Sequence, residues 1–165
     1  MKQLISACLL VCANLAGAYA SAQTLEATDA IARASIPGAP NSAAFMTLSN
    51  TSASDISLVS VKSDVAKRPE LHGHINDNGV MRMRQRESIV IPAGGQVVLK
   101  PGGLHVMLLG LTDRLMPGGQ VQLTLIDEAG QEYPVTAEVV DMRQHTGVSS
   151  KQGAMKGHNM KGHNH

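Results

Sequence analysis

Histidine and methionine alternate in two short segments, ELHGHINDNGVMRMR at 70 to 84 and GGLHVMLLGL at 102 to 111. The residues concerned are His72, His74, Met81, Met83, His105 and Met107. Imidazole binds several transition metals, whereas a thioether is a soft, uncharged ligand that suits Cu(I) and offers little to Zn(II), Ca(II) or Mg(II). Side chains two positions apart on a strand share a face, so each segment can present an imidazole and a thioether together. The pattern therefore predicts a metal site whose ligands favour Cu(I).

The relative placement of these groups depends on the turn at residues 76 to 79, Asn-Asp-Asn-Gly. This tetrapeptide predicts a hairpin, because Asn and Gly tolerate the positive backbone angles of tight turns. A four-residue loop would pair His74 with Met81, whereas a two-residue turn would pair His74 with Met83. Both registers put the histidines and methionines on one face, but a three-residue loop would separate them. A purely structural role competes with metal binding, since methionine on the inner face of a strand usually fills a core.

The N-terminus predicts export. Lys2 precedes an apolar stretch over residues 4 to 15, and small residues follow at 18 to 22, as in a secretory signal peptide. We expect cleavage after Ala20 or Ala22, which assigns residues 1–22 to the signal. The sequence around Cys8 faintly resembles a lipoprotein cleavage box, but only four residues precede that box, so we expect no lipid attachment there.

Composition then excludes several classes of function. Both cysteines, Cys8 and Cys12, lie in the predicted signal, which excludes a disulfide framework, a zinc-thiolate site, a cysteine nucleophile and a thiolate-copper electron-transfer site. Loss of Lys2 leaves equal numbers of basic and acidic residues, so we expect neither nucleic acid nor a lipid surface as a partner. No later segment approaches about 18 uninterrupted apolar residues, so we expect no stable membrane insertion. We expect a soluble monomer.

Short apolar or alternating segments separated by turn residues predict an all-β chain. The ten predicted strands are residues 31–36, 43–48, 56–61, 70–75, 80–84, 88–91, 96–99, 104–109, 121–126 and 133–140. Gly and Pro between them, and a length of 165 residues, favour a single-domain β-sandwich or Greek-key barrel. We assign it residues 23–141. Residues 142–165 are predicted to be a disordered, flexible tail, because residues 149–165 have no β-branched or aromatic side chain to bury.

The order and spacing His72, ten residues, Met83, twenty-one residues, His105, one residue, Met107 resemble the H-x10-M-x21-H-x-M pattern of the periplasmic PCuAC-type copper chaperones. Further similar stretches are ARASIPGAPNSAAFMTLSN (32 to 50), IPAGGQVVLKPGGLHVMLLGL (91 to 111) and GGQVQLTLID (118 to 127). The resemblance covers roughly residues 24 to 140. It implies a cupredoxin-like sandwich on which these four residues bind Cu(I). His74 and Met81 lie outside that set, as neighbours or substitute ligands, and we expect Met81 to pack in the core.

The resemblance also implies a task. Such proteins hold Cu(I) in the periplasm and pass it to the CuA centre of cytochrome c oxidase subunit II. A thiol reductant or another copper chaperone is a further partner to consider. We expect the hairpin that carries His72 and Met83 to lie near one end of the sandwich, exposed enough for an incoming ligand.

The tail offers a second set of metal ligands. These are Met142, His145, Met155, His158, Met160, His163 and His165, and the pentapeptide MKGHN occurs twice in tandem at 155 to 164. Imidazoles suit Cu(II) as well as zinc and nickel, so the tail is a candidate for Cu(II) capture, or else a solvated extension.

Two other functions compete with a non-enzymatic chaperone. A periplasmic copper buffer or resistance protein would use the same ligands, with sequestration as the endpoint. A zinc enzyme would use His72, His74 and His105 with Glu70 or Asp77 as general base, but no H-E-x-x-H segment supports it.

Overall fold

A computed structural model describes residues 24–145. The predicted signal peptide and the tail from residue 146 onward lie outside the described residues. The described chain contains ten strands and one helical turn: β1 (Leu25–Arg33), β2 (Asn41–Asn50), β3 (Ile56–Ser63), β4 (Ala66–Asp77), β5 (Val80–Gln85), β6 (Ile89–Ile91), β7 (Gln96–Leu99), β8 (His105–Leu111), β9 (Gln120–Asp127), β10 (Glu132–Val140) and α1 (Met142–His145). Within residues 24–145, no helix is long and apolar enough to cross a membrane.

The ten predicted strands correspond to the ten observed ones, and β1 departs most from its prediction. It begins at Leu25 rather than Ile31 and ends at Arg33 rather than Ile36. Its alternation is interrupted because the β1–β2 register shifts between Thr28 and Ile31, where Asp29 has a φ of 51°. A bulge of this kind breaks the period of two that reveals a strand in sequence.

The strands form one hydrogen-bonded sheet that closes into the expected cupredoxin-like β-sandwich. The strand order is β5-β4-β8-β2-β1-β10-β9-β3-β6, and β7 also pairs with β2. The long strand β2 links β8 and β7, because its first half pairs with β8 and its second half with β7. A single cluster of buried aliphatic side chains from both layers fills the interior.

The histidine and methionine side chains of β4 and β8 lie on the outer face of the sheet, not in this core. Leu71, Val106 and Leu108 point inward and are fully buried. Because side chains alternate, His72 and His105 point outward from the same two strands. The apolar run around His105 is thus a strand with one face in the core and one face that carries the predicted ligands.

The turn between β4 and β5 is the two-residue alternative. Asp77 pairs with Val80 and His74 with Met83 across Asn78 and Gly79, whose φ angles are 52° and 86°. Two consecutive positive φ angles are typical of the type I′ hairpin turn. All six residues of β5 are exposed, and β5 is the edge of the sheet, so the hairpin is exposed as expected.

Candidate metal centre

Three cross-strand pairs build the site. His72 lies directly opposite His105 between β4 and β8, and Glu70 lies opposite Met107. On the other side of β4, His74 lies opposite Met83. Directly opposed residues on antiparallel strands project from the same face with their Cβ atoms about 5 Å apart. The fold therefore gathers on one face the four residues that the resemblance implies as ligands.

His105 is the most buried of these groups, with 3% of its surface exposed. Its Nδ1 lies 3.0 Å from the carbonyl oxygen of Gly103. Because a carbonyl oxygen only accepts, Nδ1 donates and Nε2 carries the lone pair. That Nε2 atom is buried and has no hydrogen-bond partner in the described part of the chain.

The pKa of His105 is lowered from its ordinary value of 6.5. Burial is the main cause, because a charged imidazolium loses solvation. The hydrogen bond to Gly103 opposes this effect, while the positive charges of His72, His74 and Arg33 add to it. His105 is therefore neutral, the form that binds metal, at lower pH than an exposed histidine would be.

His72 is oriented by a carboxylate. Its Nε2 donates to Oε2 of Glu70 at 2.7 Å, and Glu70 in turn accepts from Nε of Arg68 at 2.8 Å. The lone pair of His72 is thus on Nδ1, which is buried and has no hydrogen-bond partner among the residues that the structure describes. A carboxylate–histidine pair of this kind fixes ring orientation and raises ligand basicity at metal sites.

The role of Glu70 as the group that orients His72 was missed in the sequence, where this residue is considered only as a general base. A signal was present, because Glu70 lies two positions before His72 and must share its face on a strand.

A surface concavity of about 130 Å³ lies beside these imidazoles. Met83, His105, Met107 and His74 line it, together with Arg33 and Phe45. Met83 is 42% exposed, so the concavity is open on the hairpin side. His72 does not line this space, although its ring centre lies 5.9 Å from that of His105. Its Nδ1 is nevertheless buried and has no hydrogen-bond partner within residues 24–145, so the lone pair of His72 is available on the side of the site away from solvent.

The other predicted ligands are placed differently. Met81 is 59% exposed opposite Asn76, so the expectation that it packs in the core is wrong. The reason is that the hairpin tip extends beyond the sandwich. Met142 lies in the helical turn α1 and lines a groove with Leu115 and Met116. His145 ends that turn, and Met155, His158, Met160, His163 and His165 lie outside the described residues.

Among residues 24–145, no three His, Cys, Asp or Glu side chains are arranged to hold a metal ion by themselves. The imidazoles of His72, His74 and His105 are close, but they do not form the three-histidine site that the zinc-enzyme alternative requires.

Comparison with known proteins gives the family. The model of the LpqE-like lipoprotein family matches residues 25–139. The chain belongs to the LpqE-like family. Protein Lxx21020 of Leifsonia xyli subsp. xyli is 35% identical over 105 residues, which is 63% of this chain and 63% of that protein. Protein RP573 of Rickettsia prowazekii is 32% identical over 102 residues, 61% of this chain and 56% of that protein. The chain thus spans less than two thirds of either relative.

Solved structures extend the comparison. The solution structure of Cu(I)-DR1885 from Deinococcus radiodurans is 35% identical with a TM-score of 0.59, and the match covers 74% of this chain and 83% of that one. The copper-bound PCuAC domain of PmoF2 has a TM-score of 0.61 at 22% identity, covering 72% of this chain and 94% of that one. The second similarity concerns the fold alone and confirms the PCuAC-like sandwich.

Removing the Glu70 carboxylate should weaken metal binding through His72. We expect Glu70→Ala to lower Cu(I) affinity by roughly tenfold or more, because the ring loses its orienting acceptor. Glu70→Gln should lose less Cu(I) affinity, since its amide oxygen can still accept a hydrogen bond from Nε2 of His72. Competition with a chromophoric Cu(I) chelator measures both, and Glu132→Gln, which affects only the exposed pair with Lys62, is the matched control. Equal affinities for wild type and Glu70→Ala would contradict this role.

Acid should destabilise the metal-free protein through His105. Since its pKa is lowered on folding, the unfolded chain takes up protons below 6.5 that the folded chain does not. Its contribution to stability is therefore intact above that pH and is lost as the pH falls toward the lowered pKa. Denaturant unfolding at a series of pH values from about 7.5 to about 5 measures the slope of the unfolding free energy against pH. His105→Leu should flatten it, whereas Val98→Ala, at an exposed position of β7, should leave it unchanged. An unaltered slope in His105→Leu would refute this assignment.

Proposed function

We propose that this protein is a copper chaperone that binds Cu(I) with His72, Met83, His105 and Met107. One observation carries the proposal: two buried imidazole nitrogens, Nδ1 of His72 and Nε2 of His105, have no hydrogen-bond partner within residues 24–145. Buried polar atoms are nearly always satisfied, so an unsatisfied pair on facing side chains indicates a missing ligand. Met83 and Met107 line the concavity together with His105.

The chemistry of this donor set favours Cu(I). Both imidazoles already donate their single N–H, one to a carboxylate and one to a carbonyl, so each can bind a cation without losing a proton. Thioethers complement a soft monovalent ion and are poor ligands for hard cations. The Cu(I)-bound state of the DR1885 structure supports the same ion for this chain.

The proposed task is delivery of Cu(I) to the CuA centre of cytochrome c oxidase in the periplasm, after removal of the signal peptide. A site without thiolate holds Cu(I) less tightly than an acceptor with cysteine thiolates, so stepwise ligand exchange would run downhill. The exposure of Met83 at the sheet edge supports access by an incoming sulfur. A thiol reductant or another chaperone would supply Cu(I).

Substitution of the thioethers tests the site. Met83→Leu and Met107→Leu keep the size and apolar character of the side chains, so we expect the fold to survive and Cu(I) affinity to fall by roughly tenfold or more in each. Chelator competition gives the affinity, and thermal unfolding of the metal-free proteins gives the control. Full affinity in both variants would rule out the proposed ligand set.

Transfer tests the task. Mixing the Cu(I)-loaded protein with a reduced, metal-free CuA domain should move copper to the CuA domain, measured as metal content after the two proteins are separated. Retention by the chaperone at equilibrium would instead favour the copper buffer, which uses the same ligands without handing the ion on.

The tail is proposed as a second site that captures Cu(II) with its histidines and methionines. Arg33 lines both the concavity and the groove that contains Met142, the first residue of the predicted tail, which supports a tail that begins near the proposed Cu(I) site. Deletion of residues 149–165 should abolish Cu(II) binding in titrations while one Cu(I) remains bound. Loss of Cu(I) as well would contradict two separate sites.

A further inference from the structure

We propose that His74 is a fifth Cu(I) ligand, which takes up and releases the ion at the open side of the site while His72 holds it on the inner side. This inference rests on the proposed Cu(I) function and adds a residue to it. In this arrangement His72 determines how tightly the ion is held, and His74 determines how fast it enters and leaves.

The two histidines of β4 lie at equal distance from His105. The ring centre of His74 lies 5.9 Å from that of His105, and so does the ring centre of His72. All three side chains share the outer face of the sheet. His105 therefore has two neighbouring imidazoles, both on β4.

The carbonyl oxygen of Gly103 contacts Nδ1 of His74 as well as Nδ1 of His105. Nδ1 of His74 lies 3.4 Å from this oxygen, which also accepts from His105. The weaker contact still selects the tautomer with the proton on Nδ1, so the lone pair of His74 is on Nε2. One backbone oxygen thus orients two potential ligands, and neither has to lose a proton to bind a cation.

The position of His74 distinguishes it from His72. His74 lines the open concavity together with Met83, its direct cross-strand partner, whereas His72 does not line that space. His72 is held by Glu70, with only 13% of its side chain exposed. An ion that enters the concavity therefore reaches His74 and Met83, together with His105 and Met107, before it reaches His72.

The hand-over is an exchange of one neutral nitrogen for another. Cu(I) first binds Nε2 of His74 and the Met83 sulfur, and then gains Nε2 of His105. The bond to His74 breaks as bonds to Nδ1 of His72 and the Met107 sulfur form. The oxidation state of copper is unchanged, no proton is released, and the reverse order delivers the ion to an acceptor.

Measurements of Cu(I) exchange rates and of equilibrium affinity distinguish the roles of His74 and His72. In His74→Ala we expect Cu(I) uptake and chelator-driven release both to slow by roughly tenfold, with equilibrium affinity nearly unchanged, because entry and exit share one step. In His72→Ala we expect affinity to fall by roughly tenfold or more. Gln85→Ala, at the exposed position opposite His72, is the control for disturbance of the hairpin. Wild-type rates in His74→Ala would overturn the inference.

A second readout detects ligation directly. With Ag(I) as a redox-inert probe, ¹⁵N NMR of the His72→Ala variant should show the coordination shift on Nε2 of His74, because the remaining imidazole takes the vacated place. An unshifted His74 in the Ag(I)-loaded variant would also overturn the inference. If the wild-type protein binds neither Cu(I) nor Ag(I), the proposed function itself fails, and that outcome is distinct from a His74 without effect.

Discussion

The antiparallel pairing of β4 with β8 is the constraint on which the site depends. It puts His72 directly opposite His105, and the same alternation that turns these rings outward turns Leu71 and Val106 into the core. A slip of one residue would bury the imidazoles and expose the aliphatic side chains. The hydrophobic core therefore holds the proposed ligands in register, because burial on one face fixes which side chains lie on the other.

The metal-free site is locally unfavourable. An unsatisfied buried nitrogen costs about 1–3 kcal/mol, and His72 and His105 each carry one. The surrounding sheet tolerates this cost, because its core is continuous and its strands are paired on both sides of β4 and β8. Coordination of a cation by both nitrogens would relieve it. The same two atoms that weaken the empty site thus add to the affinity of the filled one.

The sequence predicts most of this arrangement, and the expectations that the structure contradicts have physical explanations. Ten short segments yield the ten strands, and alternation puts the ligands on one face, because burial imposes a period of two. The start of β1 was misplaced, since the bulge at Asp29 removes that period. Met81 was expected in the core, because alternation does not reveal how far a hairpin extends beyond the sandwich. The link from Glu70 to His72 depends on rotamers and on Arg68, which strand parity permits but does not specify.

The ligand strands differ in how firmly they are held, and this difference fits a site that must release its ion. His105 and Met107 belong to β8, which has neighbours on both sides, whereas Met83 belongs to β5, which within residues 24–145 pairs only with β4 and has no buried side chain. Exposed edge elements open at lower free energy than core strands. Loss of the proposed Met83 bond would therefore require only local motion of the hairpin. A ligand on the edge strand provides a place where an incoming sulfur can replace one of the protein's own.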